Sequence, residues 1–149
     1  MQRYESEGYL ANWAARLFAQ AMDRAIRPHG LTPAYVPVLL TIADRGEVTQ
    51  SELAGAVAIE QPTMAATLAR MERDGLLARR ADPDDRRKSL ISMTALGRDK
   101  IVIVQAAVAQ INAGAMSGLS PQERQRHRQT MRTIIDNLGD LLGPIRSVP

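Results

Sequence analysis

Cysteine is absent from the 149 residues. Disulfides, thiolate metal sites, cysteine nucleophiles and thiol redox sensing are therefore excluded, which fits a reducing compartment. Aromatics are scarce, with one Trp, three Tyr and one Phe. Alanine, leucine, isoleucine, valine and methionine must fill the interior, a mixture that suits helices better than a β-rich core. The two histidines, His29 and His127, have no carboxylate at ligand spacing, so no metal site is expected. No plausible base stands beside a serine nucleophile, and the glycines are scattered as helix stops rather than gathered in a phosphate loop. No enzymatic activity and no cofactor are expected. Apolar runs such as Ile101–Val104 fall far short of the roughly 18 residues that span a membrane. The opening MQRYESEGYL carries acids and lacks the basic-then-apolar order of a signal peptide. A soluble cytoplasmic protein with no membrane partner is the expectation.

What is present is enough apolar material for one core. The chain is 45% hydrophobic, of a length for one compact domain. Its net charge of +3 says little by itself, because the clustering of bases matters more. Gly8 to Arg27 carries apolar residues at helical spacing (Leu10, Trp13, Leu17, Ala21) and stops at Pro28-His29-Gly30. Thr32-Pro33 reads as an N-cap followed by proline at the first helical position, with Leu31 and Val36 placed as a hydrophobic staple. That helix runs to about Asp44. Thr49-Gln50-Ser51-Glu52 is a capping box opening a short helix to Val57, with Val48 and Leu53 as its staple. A further helix from Gln61-Pro62 to Asp74, with Gly75 after it, buries Met64, Leu68 and Met71.

Leu76–Arg80 and Lys88–Met93 read as an antiparallel hairpin around a charged loop. Thr94 caps a long helix over about 95–113, with Ile101, Val104, Val108 and Ile111 inward and Gly114 and Gly118 as breakers. Ser120-Pro121-Gln122-Glu123 opens a last helix to about Leu142, ended by Gly143-Pro144, and the tail to Pro149 is expected to fray. The fold class is mainly α with a small antiparallel β-hairpin (α+β): a winged helix-turn-helix over 31–94, flanked by a helical dimerisation region over 1–30 and 95–149, in one compact domain. Helices as apolar as the last one (Ile134, Ile135, Leu138, Leu141, Leu142) need a partner surface at a chain end. Packing the first helix on the last two, and this set on a second copy, supplies it.

Two constellations carry chemistry. With Met64, Leu68 and Met71 inward, the helix after the turn is expected to present Thr63, Ala66, Thr67, Arg70 and Asp74. Small residues allow close approach to base edges, and threonine and alanine methyls can touch thymine methyls. Gln61 can pair with an adenine edge; Arg70 and Arg73 suit phosphates. The bland alternative is a small-residue face packed within the protein. The second constellation is the loop, where Arg79, Arg80, Arg86, Arg87 and Lys88 put five positive charges into ten residues, against Asp82, Asp84 and Asp85. Alone, such a turn reads as a solvated tip. Directly after a helix-turn-helix it reads as a minor-groove finger whose aspartates aim the guanidinium groups.

The runs Thr49–Ala54, Ile59-Glu60-Gln61-Pro62-Thr63, Leu68–Leu77, Asp82–Arg87 and Met93–Gly97 together resemble the MarR family of bacterial transcriptional regulators, and the Ile-Glu-Gln-Pro segment is similar to its SlyA branch. The most specific parts are Arg73-Asp74-Gly75-Leu76-Leu77 and Asp85-Arg86-Arg87. The resemblance implies a homodimer on a pseudo-palindromic double-stranded operator, with recognition helices in major grooves and wings in minor grooves. It implies Gln61, Pro62, Thr63 and Thr67 as recognition-helix positions and Asp85 with Arg87 as the wing pair. Arg86 would lie next to the groove, with Lys88 beside it. Where the SlyA-like branch often has arginine, this chain has Ala66, so that contact does not transfer.

Relatives that bind small aromatic or phenolic carboxylates imply an effector here, for which Tyr9, Trp13, Arg16, Thr32 and Tyr35 offer an aromatic and cationic lining. Tyr9 and Trp13 as simple core or dimer contacts is the competing reading. Arg124, Arg126, Arg128 and Arg132 are spread round the last helix and read as a solvated face. The alternative function is a winged-helix protein-interaction module with no specific DNA target.

Overall fold

The computed structural model describes residues 3–143. Six α-helices and one hairpin follow in the order α1 (Glu7–Ile26), α2 (Val36–Arg45), α3 (Gln50–Ala56), α4 (Gln61–Arg73), β1 (Leu77–Ala81), β2 (Ser89–Met93), α5 (Ala95–Ala115) and α6 (Pro121–Leu142). The mostly helical, single-hairpin architecture expected from the sequence is the one observed. The expected stop at Pro144 and the frayed tail lie outside the described residues.

Local chemistry accounts for most boundaries. Ser6, not singled out in the sequence, caps α1 by accepting from the Tyr9 amide at 3.3 Å. The Thr49–Glu52 and Ser120–Glu123 capping boxes both form, each satisfying amides that a helix N-terminus leaves unpaired. Thr32 departs from expectation. Its side chain caps nothing, and a 3-10 turn over Pro33–Tyr35 precedes α2 proper. The amide of Tyr35 bonds to the Thr32 carbonyl, three residues back, so the backbone supplies the closure that a threonine cap would have made. Gly114 does not break α5, which continues to Ala115 before Gly118 turns at φ 83°; one glycine inside a long helix costs only about 1 kcal/mol.

The core is one continuous cluster. It joins the end of α1 (Ile26), α2 (Val38, Leu39, Ile42), α3 (Leu53), α4 (Met64, Leu68, Met71), the hairpin (Leu77, Ile91) and α5 (Ile101, Val104). The three α4 side chains are fully buried, each contributing about 1.5–3 kcal/mol from removal of apolar surface. The hairpin pairs Leu77 with Met93 and Ala81 with Ser89. Val48 adds a third, single-residue rung, exchanging both backbone bonds with Ile91 at 3.1 and 2.7 Å, which ties the wing to the entrance of α3. At the far end of β2, Thr94 accepts from the Gly97 amide at 3.1 Å and donates to the Gly75 carbonyl at 2.6 Å. A Cβ on Gly97 would sit 2.2 Å from the Leu76 carbonyl oxygen, so only glycine permits this closure of hairpin on helix.

The two ends behave differently. The first helix packs on α5, but only its last turns reach the core. Helix α6 buries no residue, and the substantial packing of the first helix on the last two is with α5. No helix is long and apolar enough to cross a membrane among the described residues.

Candidate nucleic-acid interface

Helix α4 begins after the turn at residues 57–60, where Ala58 holds φ 52° and the Ile59 amide bonds to the Ala54 carbonyl at 3.1 Å. Pro62, Thr63, Ala66 and Arg70 are exposed along α4, as expected for a face meant to touch something. Thr67 is not, being 5% exposed. It stands three residues after Met64 and four before Met71, so helical geometry puts it on their face. Its hydroxyl accepts from the Arg70 guanidinium at 3.4 Å, so Thr67 anchors an arginine. Gln61, half-buried at the helix start, is held from α3: its Oε1 accepts from Gln50 Nε2 at 3.2 Å and its Nε2 donates to Ser51 Oγ at 3.3 Å.

The wing has an ordered tip. The Asp84 amide donates to Asp82 Oδ1 at 2.9 Å, the Asp82 amide to the Lys88 carbonyl at 3.0 Å, and the Lys88 amide to the Asp85 carbonyl at 2.8 Å. Asp85 clamps Arg87 three ways. Its Oδ1 accepts from the Arg87 Nε at 3.0 Å and backbone amide at 3.1 Å, and its Oδ2 accepts from Nη2 at 3.2 Å. These bonds hold the Asp85 carboxyl below its ordinary range, the Arg87 side chain being the larger cause and its amide the next. The Arg87 side chain itself stays 90% exposed. Arg86 and Lys88 are also exposed and, among the described residues, neither forms an ion pair.

Of the five positive charges that the sequence places here, two are committed elsewhere. Arg79 pairs with Glu72 of α4. Arg80 grips Glu47 with both Nε, at 2.8 Å, and Nη2. Glu72 lies on α4 and Glu47 in the turn beside Val48, the two places the wing folds against, so these arginines fix the base of the ribbon. A contact 33 residues away, as between Arg80 and Glu47, leaves no local signal. Another tie was equally unreadable: the buried Tyr35 hydroxyl donates to Asp74 Oδ2 at 2.6 Å, joining the start of α2 to the C-cap of α4.

A sequence-family model described as MarR family matches residues 29–88, the segment that holds this whole arrangement. BpsR of Bordetella bronchiseptica, whose DNA binding is regulated by 6-hydroxynicotinic acid, is 30% identical, with a TM-score of 0.77 over 85% of this chain and 96% of that one. A probable transcriptional regulator from Pseudomonas aeruginosa is 29% identical, with a TM-score of 0.80 over 87% and 97% of the two chains. The chain belongs to the MarR family. Its winged-helix fold is also that of a mutant MarR from E. coli complexed with operator DNA, at 20% identity, TM-score 0.79, and 85% and 91% coverage.

Of the five residues expected to line an effector site in this MarR-family transcriptional regulator, Tyr9 and Trp13 come together within the single chain. Tyr9 and Trp13 sit with Tyr4 in a partly exposed cluster, ring centroids 6.0 Å apart. Arg16 and Thr32 are exposed, and Tyr35 is buried against Asp74. The concavity lies further along: a cleft of about 260 Å³ between α1, α2 and α5, lined by Phe18, Ala19, Met22, Pro33, Val36, Pro37, Val108, Ile111 and Asn112. A second groove of about 390 Å³ continues it along α1 and α5 past Ala14, Leu17, Ala21 and Ala115. Among the described residues no group of three or more His, Asp or Glu is placed to hold a metal ion.

Proposed function

We propose that this regulator acts as a homodimer that binds a pseudo-palindromic duplex operator, with residues 61–74 in the major groove and residues 81–88 in the minor groove. The observation that carries the reading is the clamped wing: Asp85 fixes the direction of Arg87 while leaving its guanidinium in solvent at the tip of a narrow ribbon. A solvated turn has no use for three bonds that orient one cation. The small exposed face of α4, with Thr63 and Ala66 toward its start and Arg70 a turn further, supports groove entry by the helix. Homodimerisation is supported by the bare apolar surface of the ends, where Leu17, Ile135, Leu138, Leu141 and Leu142 are all more than half exposed. The Ile59-Glu60-Gln61-Pro62 segment supports placement in the SlyA-like branch.

We also infer regulation by a small ligand. The cleft between α1, α2 and α5 offers apolar walls and a single amide, Asn112, which favours a compact aromatic molecule. BpsR provides a similar regulator whose DNA binding answers to such a molecule.

Salt titration of duplex binding tests the central reading. A dimer touching about 6–10 phosphates loses roughly 10³–10⁵ in affinity between 50 and 200 mM salt. Binding to duplex DNA that is absent, or indifferent to salt, rejects it.

A further inference from the structure

We infer that Gln50 and Ser51 are specificity-determining positioning residues, which set the carboxamide of Gln61 to read one adenine in each half-site. The inference rests on the DNA-binding reading above and extends it to two residues of the preceding helix.

A glutamine carboxamide has two N–H donors on its nitrogen and two lone pairs on its oxygen. In Gln61 one of each is already used within the protein. The oxygen accepts from Gln50 Nε2 at 3.2 Å and the nitrogen donates to Ser51 Oγ at 3.3 Å. One N–H and one lone pair remain. That pair is the complement of adenine in the major groove, which offers N7 as acceptor and the N6 amino group as donor. Guanine presents two acceptors there and cannot satisfy the remaining lone pair. The donor from Gln50 decides which end of the carboxamide is oxygen. Without it only the Ser51 hydroxyl remains, which can donate as well as accept and so does not distinguish the two ends, and the preference for adenine is diluted.

The positions make this arrangement available. Gln50 and Ser51 are the first two residues of α3, and Gln61 is the first of α4. The tight turn between these helices brings the two N-termini together, so residues ten and eleven positions apart in sequence meet. Holding Gln61 in advance also removes rotamer freedom that would otherwise be lost on contact with DNA.

The test begins with duplexes selected by the full-length chain from a random pool. Each adenine in the selected half-site is then replaced by 7-deazaadenine, which lacks the N7 acceptor. One position is expected at which the replacement weakens binding by roughly 5- to 150-fold in the unsubstituted protein and by no more than about twofold in Gln61→Ala, Gln50→Ala and Gln50→Glu. A carboxylate at position 50 cannot donate to the Gln61 oxygen, so Gln50→Glu keeps the size of the side chain while removing the donor. Ser51→Thr retains a hydroxyl and is expected to keep the full penalty. The slope of affinity against salt stays unchanged in Gln50→Ala, which removes no phosphate contact and adds no charge. A merely structural role for Gln50 would weaken all sequences alike and leave the penalty intact. That result, in either position 50 variant, overturns the inference. So does a selected site with no sensitive adenine, although DNA binding itself would then stand. If no sequence is selected and no duplex is bound, the DNA-binding reading falls first and takes the inference with it.

Discussion

Arg87 shows how a short turn aims a charge. A free arginine on a loop explores many rotamers, and ordering it on contact costs about 1.5–2 kcal/mol. Here Asp85 has already restricted it, through a side-chain carboxylate held in place by the turn that Asp82, Asp84 and Lys88 close. The lowered pKa of Asp85 means that the clamp survives well into acid, being lost only as pH falls below the ordinary carboxylate range. Arg87→Ala is expected to weaken specific duplex binding by about 1–3 kcal/mol. Its thermal midpoint should match that of the unsubstituted protein, because the side chain is 90% exposed and its ion pair with Asp85 lies at the surface. Fluorescence anisotropy and a melting curve on the same preparation check both halves. An unchanged affinity returns the loop to a solubility role.

Between elements, the structure relies on a few polar ties laid over the apolar core. The Tyr35–Asp74 bond is the deepest of them, since it connects the segment that lines the cleft to the end of α4. Burial first, and the bond to Asp74 second, raise the Tyr35 pKa above its ordinary value of 10.0. The linkage sign follows: the folded state keeps its phenol proton longer than the unfolded chain does. The contribution of this tie is therefore fully present below about pH 10 and declines as pH rises through the raised value. Tyr35→Phe is expected to cost about 1–2 kcal/mol at neutral pH. The gap between the two proteins should narrow above pH 10, which denaturant titrations at several pH values measure. A gap that widens with pH contradicts the assignment.

At the scale of the molecule, the two ends of the described chain carry exposed apolar surface. Helix α6 presents Leu141 at 82% and Leu142 at 77% exposure, and the N-terminal two-thirds of α1 is nearly as bare. Contiguous apolar surface of this kind marks interaction sites. Deleting residues 120–149 is expected to abolish a stable dimer in analytical ultracentrifugation, whereas the core over residues 26–107 remains complete and folded. A well-formed dimer that survives the deletion refutes assembly through the chain ends.

How much of this was legible in advance depended on range. Order, type and most boundaries of the helices were written locally, in capping boxes at Thr49 and Ser120, in prolines at helix starts and in glycines after helix ends, because capping and turn chemistry act within about four residues. The apolar stripe of Met64, Leu68 and Met71 was readable for the same reason, and the clamp of Asp85 on Arg87 spans only two residues. Thr67 was misplaced although the same spacing rule, applied strictly, puts it inward. What local chemistry could not decide was every pairing across the fold: Arg80 with Glu47, Tyr35 with Asp74, Gln50 and Ser51 with Gln61, and Gly97 against the Leu76 carbonyl. The cleft belongs to that group too, since three helices distant in sequence build its walls. By itself the sequence determined the elements, because each is specified by its own neighbours. Only the tertiary structure decided which side chains are spent on holding those elements together and which are left exposed, because that division depends on distances no local pattern contains.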